Sequence, residues 1–255
     1  MRHATIRSLS LWVVFPLVVF LTGCVSAKYK LLPEKSRTPQ TSTTLASDNP
    51  QLSAAISALI VFKGPGSWKR EAYWDEYVVT VKQQGKSPVI LQSATIEDAL
   101  GTQVPSGSDP WLLEKASKTQ LDWYSKVGLK VVLGLGITSA WVASLALAES
   151  GLFVSTGAAT AGVISVVAIP VTVGGHFYLS HQAKKGIETE FQKRRLVFPL
   201  TLAEGAERHG SLFFPVCPGP KSLSLAYTVD GVPAQLAIDL KPLAGLHLEA
   251  KSAGK

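Results

Sequence analysis

The sequence predicts an α+β chain: an antiparallel β-sandwich interrupted by an inserted apolar helical hairpin. Three observations carry that expectation. Apolar residues recur at the two-residue period of a strand in two separate regions, before residue 100 and after residue 195. Between these regions, residues 131–148 and 151–180 contain no Asp, Glu, Lys or Arg. Each strand region also has an apolar face that must be buried, and each is the natural cover for the other.

Residues 1–23 begin with Arg2 and Arg7 and carry an apolar run over 9–21, the length of a secretory signal and too short for a membrane span. The run ends in Leu21, Thr22, Gly23 and Cys24, an aliphatic residue, two small ones and a cysteine, and polar sequence follows at once. These four residues resemble the lipobox of bacterial lipoproteins. The resemblance implies that 1–23 is removed and that Cys24 becomes the first residue, lipidated on sulfur and acylated on its amine, as with palmitate. Several buried chains, at about 0.8 kcal/mol per methylene, make such an anchor strong. The implied location is the bacterial cell envelope, facing the periplasm. Val25, in place of an aspartate, resembles outer-membrane rather than inner-membrane cargo by the sorting rule of enteric lipoproteins. Residues 24–52 are rich in Ser, Thr, Pro, Lys and Gln without apolar period and read as a flexible lipidated tether.

The first half of the sandwich is expected over 53–108. "ISALIVFKGPGSW" supplies one strand and its turn, and "YWDEYVVTVKQQGKSPVIL" supplies two more around "QQGKS". The second half is expected over 196–242, where Gly and Pro break the apolar pattern into four strands. Its last part is the clearest: Leu223, Leu225, Tyr227 and Val229 share a face, Asp230-Gly231 is a hairpin turn, and Leu236, Ile238 and Leu240 share a face on the return. Residues 243–255 read as a tail. Three early and four late strands make seven, and "WDEYVVTVKQQGKSPVIL" with the later "GSLFFPV" and "SLSLAY" is similar to the immunoglobulin-like domains of exported bacterial proteins. That similarity implies fold alone.

The insertion is expected over 109–195. Asp109 before Pro110 is an N-cap for an amphipathic helix with Leu112, Leu113, Leu121 and Tyr124 on its apolar face, and Trp111 and Trp123 suit either a lipid boundary or packing under the sandwich. Apolar segments over about 128–148 and 160–181 form the hairpin; residues 131–148 would extend roughly 27 Å as a helix. Gly136, Ala140, Ser144 and Ala148 stand four apart on one segment, and Ala158, Gly162 and Ser165 lie on the other, a pattern of small residues that lets helices approach closely in lipid. Lys126, Lys130, Lys184, Lys185, Lys193, Arg194 and Arg195 crowd the flanks, placed to reach lipid phosphates from a membrane interface. The alternative is a hairpin buried in protein.

The 255 residues include 25 basic and 18 acidic ones, so without Arg2 and Arg7 the excess is about five positive charges. The basic residues form no stripe with interleaved aromatics, which argues against nucleic acid. Membrane lipid is the expected partner, with an envelope protein or further copies of the chain beside it. No catalytic constellation is legible. Asp75 with Glu76, and Glu97 with Asp98, are adjacent on strands and so point to opposite faces, giving them solvent and turn roles. "GLGITS" from Gly134 lacks the third glycine of a dinucleotide loop, His176 and His181 lack nearby ligands, and no serine sits in a nucleophile elbow, so neither cofactor nor metal is expected. Cys217, the only cysteine besides Cys24, reads as a buried small apolar residue. The function expected is a structural or adaptor role in an envelope complex, not an enzyme; the alternative is a membrane-active or channel-forming oligomer built from the glycine-rich hairpin.

Overall fold

The structure is a computed structural model describing residues 30–31, 45–62, 67–70, 72–133 and 173–248, without the side chains of Lys30, Arg70 and 173–181. Cys24 and the seven small residues of the expected hairpin lie outside the described residues. The strands are β1 (Lys30–Leu31), β2 (Leu45–Asp48), β3 (Leu52–Ile60), β4 (Lys69–Arg70), β5 (Trp74–Gln83), β6 (Val89–Glu97), β7 (Gln103–Pro105), β8 (Leu200–Leu202), β9 (Glu207–Pro215), β10 (Ser222–Val229) and β11 (Val232–Asp239). Among the described residues two helices, α1 (Pro110–Lys126) and α2 (Val173–Arg194), lie between β7 and β8 in the chain.

Among the described residues nine strands form two antiparallel sheets, and β1 and β4 pair separately. One has the order β2-β3-β5-β9; the other has β11-β10-β6-β7, with β8 also on β6. Both sheets draw strands from both sides of the helices. β5 pairs with β9 from Trp74↔Pro215 to Lys82↔Glu207, and β6 pairs with β10 from Val89↔Val229 to Glu97↔Ser222. The period-two pattern makes this a sandwich: Tyr77, Val79 and Val81 of β5 face Leu91, Ile96, Leu223 and Leu225 of the other sheet in one buried core. The opposite face of β5 and β9 presents Trp74 and Phe213 to Leu113 of α1 and to Ile187 and Phe191 of α2. The helices therefore cover the outside of the β2-β3-β5-β9 sheet.

Local chemistry sets the clearest boundaries. At the β10–β11 turn Asp230 has φ 50° and Gly231 φ 79°, the left-handed pair that a two-residue hairpin needs, and Val229 pairs with Val232 across it. Asp109 Oδ1 accepts from the N–H groups of Trp111 and Leu112 at 2.8 Å, with Pro110 as the first helical residue of α1. Leu112 itself is 67 % exposed, so the inward face of α1 is Leu113, Ser117 and Tyr124 rather than one that includes Leu112.

Other expectations change as well. The tether expected over 24–52 holds β2, which pairs with β3 and sends Leu45 into the core; a four-residue edge strand with one buried side chain has almost no sequence signature. The tail expected from 243 is part of the core, because Leu243, Leu246 and His247 are fully buried after a short turn at Lys241–Leu243. The two sheets hold nine strands instead of seven, the additions being β2 and the three-residue β7. Residues 173–181, expected as the end of the second apolar segment, belong to α2, and among the described residues no helix is long and apolar enough to cross a membrane.

Candidate functional site

The pleat of β5 sends Asp75 toward the sandwich interior and Glu76 toward the helices, as adjacent strand residues must. Both are fully buried, which corrects the solvent and turn roles expected of them. Buried carboxylates need donors, and here these come from distant segments that the strand pattern does not reveal. Glu76 accepts from Ser211 Oγ at 2.6 Å and from Trp68 Nε1 at 2.5 Å, and Arg194 reaches it from the end of α2 at 3.8 Å. Arg194 is itself held by Glu190 at 2.8 Å and lies over the Trp68 ring. Asp75 Oδ2 is 2.8 Å from Nε2 of His247, also fully buried. Asp98, buried too, accepts from the N–H groups of Leu100 and Thr102 and from the Tyr124 hydroxyl at 2.8 Å, tying α1 to the β6–β7 turn.

Further contacts fasten both helices to the sheet. Glu114 of α1 accepts from the N–H of Tyr73 at 2.6 Å and pairs with Lys118 at 2.9 Å. Trp111 donates its indole N–H to Glu188 of α2. Phe191 of α2 stacks on Phe213 at 4.1 Å and meets Trp74 edge-on at 6.1 Å. The entry and exit of the insertion are thus locked to β5 and β9 by a mixed aromatic and ionic layer. Glu76, Glu114 and Glu188 are engaged by donors inside the layer, so the arrangement fixes geometry. Among the described residues no three His, Cys, Asp or Glu side chains converge as a metal site.

Lys69 lies in the same layer, fully buried, donating to the carbonyl of Trp74 at 2.9 Å. Burial pulls its pKa down to about 8, against the opposing pull of Glu76, Asp75 and Glu114. Between pH 8 and the ordinary 10.5 the unfolded chain binds the extra proton. The cost of burying this amine is therefore fully present below pH 8 and fades as pH rises. Relative to Lys69→Met, the wild type should gain about 2 kcal/mol of stability between pH 7.5 and 9.5. Paired denaturant titrations at the two pH values check this, and a constant difference would refute it.

The thiol of Cys217 and the phenols of Tyr77 and Tyr124 are pushed above their ordinary pKa values, chiefly by burial, and stay neutral in the core. The basic flank residues do not behave as one group. Lys126, Lys130 and Lys185 are exposed, Lys193 sits 3.6 Å from Glu190, and Lys184 lies 5.5 Å over the Trp111 ring. Arg194 turns inward to Glu76, and Arg195 lines a cavity beside β6. His176 and His181 fall on α2, outside the described side chains. Sequence reasoning missed Lys69, Glu76 and His247. The one available signal was the crowding of Trp68, Tyr73 and Trp74 among charges of both signs at 69–76. No protein-family model matches the chain, and neither a curated protein nor a solved structure matches it.

Proposed function

We propose that the chain is a membrane-anchored envelope lipoprotein whose sandwich, of immunoglobulin-like kind, faces the periplasm and serves a non-enzymatic structural or adaptor role in an envelope complex. Lipid on Cys24 and the apolar segments of the hairpin hold it to one membrane; the first segment, expected from about 128, can begin only after 133, because 128–133 form a turn and a bridge to Leu248 beside the sandwich. The observation that carries this reading is the seat of β1, six positions after Cys24. β1 pairs with β4, and Leu31 packs on α2 at Gly186, where a Cβ would stand 3.1 Å from Leu31 Cδ1. Six residues span at most roughly 20 Å, and Gly186 stands about 20 Å along α2 from Val173, the end that leads to the apolar segment. Lipid and hairpin can therefore meet the same bilayer. The locked layer under α1 and α2 would pass the orientation set by that double hold to the sandwich.

Metabolic labelling with palmitate is the test. Wild-type chain should incorporate label and fractionate with membranes, and Cys24→Ala should lose the label entirely. Undiminished label in Cys24→Ala would remove the lipid anchor from the reading.

A further inference from the structure

β7 and β8 lie on the same side of β6 and leave a break between them. β8 pairs with β6 at Val89–Leu91 and β7 at Thr95–Glu97, so Gln92 and Ser93 have no neighbouring strand there. On the other side the register with β10 shifts between Ala226 and Tyr227, which makes Gln92 the extra residue of a bulge. Bulges and broken ladders recur next to functional sites because they re-aim side chains.

The break opens on a cavity of about 220 Å³ whose lining includes Ser93, Ser106, Ser108, Arg195 and Phe198 and, among the described residues, no carboxylate. Arg195 is held there by its backbone: its N–H donates to Phe191 O at 3.1 Å, it forms a bridge with Ser211, and the following N–H of Leu196 donates to Ser211 O at 2.9 Å. Gly210 makes this approach possible, since a Cβ on it would stand 2.9 Å from Leu196 Cγ and 3.2 Å from Arg194 O. The side chain of Arg195 differs from its neighbour's. Arg194 is engaged by Glu190 and Glu76, whereas Nε of Arg195 is sealed from solvent with no hydrogen-bond partner among the described residues. One buried N–H without an acceptor is costly, and the half-buried guanidinium that carries it has serine hydroxyls rather than carboxylates around it, so its outer N–H groups can meet an acceptor that enters from solvent.

We propose that this cavity binds the oxyanion of a small ligand, a phosphate or a carboxylate, with Arg195 as the charged donor and the three serines as neutral ones. The volume exceeds the roughly 30 Å³ share of one water several-fold. It admits the group bearing the anion, against the ring of Phe198. The assignment does not depend on the membrane reading, because every residue in it lies on the sandwich or at its junction with α2.

The test is calorimetric titration of the full chain in detergent at fixed ionic strength with inorganic phosphate, sn-glycerol 3-phosphate, acetate and benzoate. Saturable one-to-one binding of at least one probe is expected, weakened about tenfold or more in Arg195→Gln and unchanged in Lys193→Gln, which removes an exposed cation two positions away. Preference for glycerol 3-phosphate over inorganic phosphate would point to a headgroup-like ligand, and preference for benzoate to an organic acid. A second readout needs no variant: the bound probe should slow modification of Arg195 by phenylglyoxal, followed by peptide mass spectrometry. The assignment is overturned if no probe saturates, or if binding and protection are indifferent to Arg195, in which case the cavity holds water alone.

Discussion

Glu76→Ala should cost about 3–5 kcal/mol, the range for breaking a buried charge pair by removing one partner. The substitution strands two donors, Trp68 Nε1 and Ser211 Oγ, and removes the 3.8 Å contact of Arg194, which keeps Glu190. It also takes away one of the carboxylates that favour the charged form of Lys69. Against a typical domain stability of about 5–15 kcal/mol, that is a large share. Glu76→Gln keeps the shape and one acceptor, so it should cost less. Denaturant titration of the full chain in detergent measures both, and proteolysis should cut first at the helices, since α2 loses its Arg194 contact with the sheet. A loss below about 1 kcal/mol for Glu76→Ala would mean the carboxylate is not the hub of the layer.

Truncation after Pro242 should abolish cooperative folding. It removes Leu243 and Leu246, both fully buried, at about 1.5–3 kcal/mol each. It also removes His247 and leaves the buried Asp75 side chain without its hydrogen-bond partner, a further cost of about 1–3 kcal/mol. Backbone bonds to distant segments go as well, among them those from Gly219 N–H to Leu246 O at 2.8 Å and from Val132 N–H to His247 O at 2.9 Å. The total rivals the whole stability of a domain. Leu246→Ala alone should cost about 2–5 kcal/mol and preserve cooperativity. Thermal melting followed by circular dichroism decides: a truncated chain that melts cooperatively within a few degrees of the full one would show that the segment is dispensable.

What was legible in the sequence was whatever depends on near neighbours. The Asp230-Gly231 hairpin and the Asp109-Pro110 helix start are decided within a few residues, and both are found as read. The alternation over 222–240 likewise finds Leu223, Leu225, Tyr227, Leu236, Ile238 and Leu240 buried. Two layers followed from the need of each strand region to hide an apolar face. What depends on partners far along the chain was not legible. Asp75 and Glu76 look like surface residues until His247 and Ser211 are brought to them across 172 and 135 positions. The segment carrying Leu243, Leu246 and His247 is too short to show a period, and the spacing of Arg194 and Arg195 says nothing of their opposite engagements. Sequence distance, more than residue type, separated the visible from the hidden.

That distance also sets an order of assembly. The central strands β5 and β6 cannot acquire β9 and β10 until the polypeptide has been extended through the whole insertion, so each sheet must wait half-made while its missing strands emerge. Loop-closure entropy is owed before these contacts can reward it, which makes such topologies slow to fold and exposes unpaired edges meanwhile. In a nascent chain Tyr77 and Val79 would remain uncovered through that interval. A holdase that masks apolar strands during synthesis should therefore matter more to this protein's yield than to that of a sandwich whose strands pair in sequence.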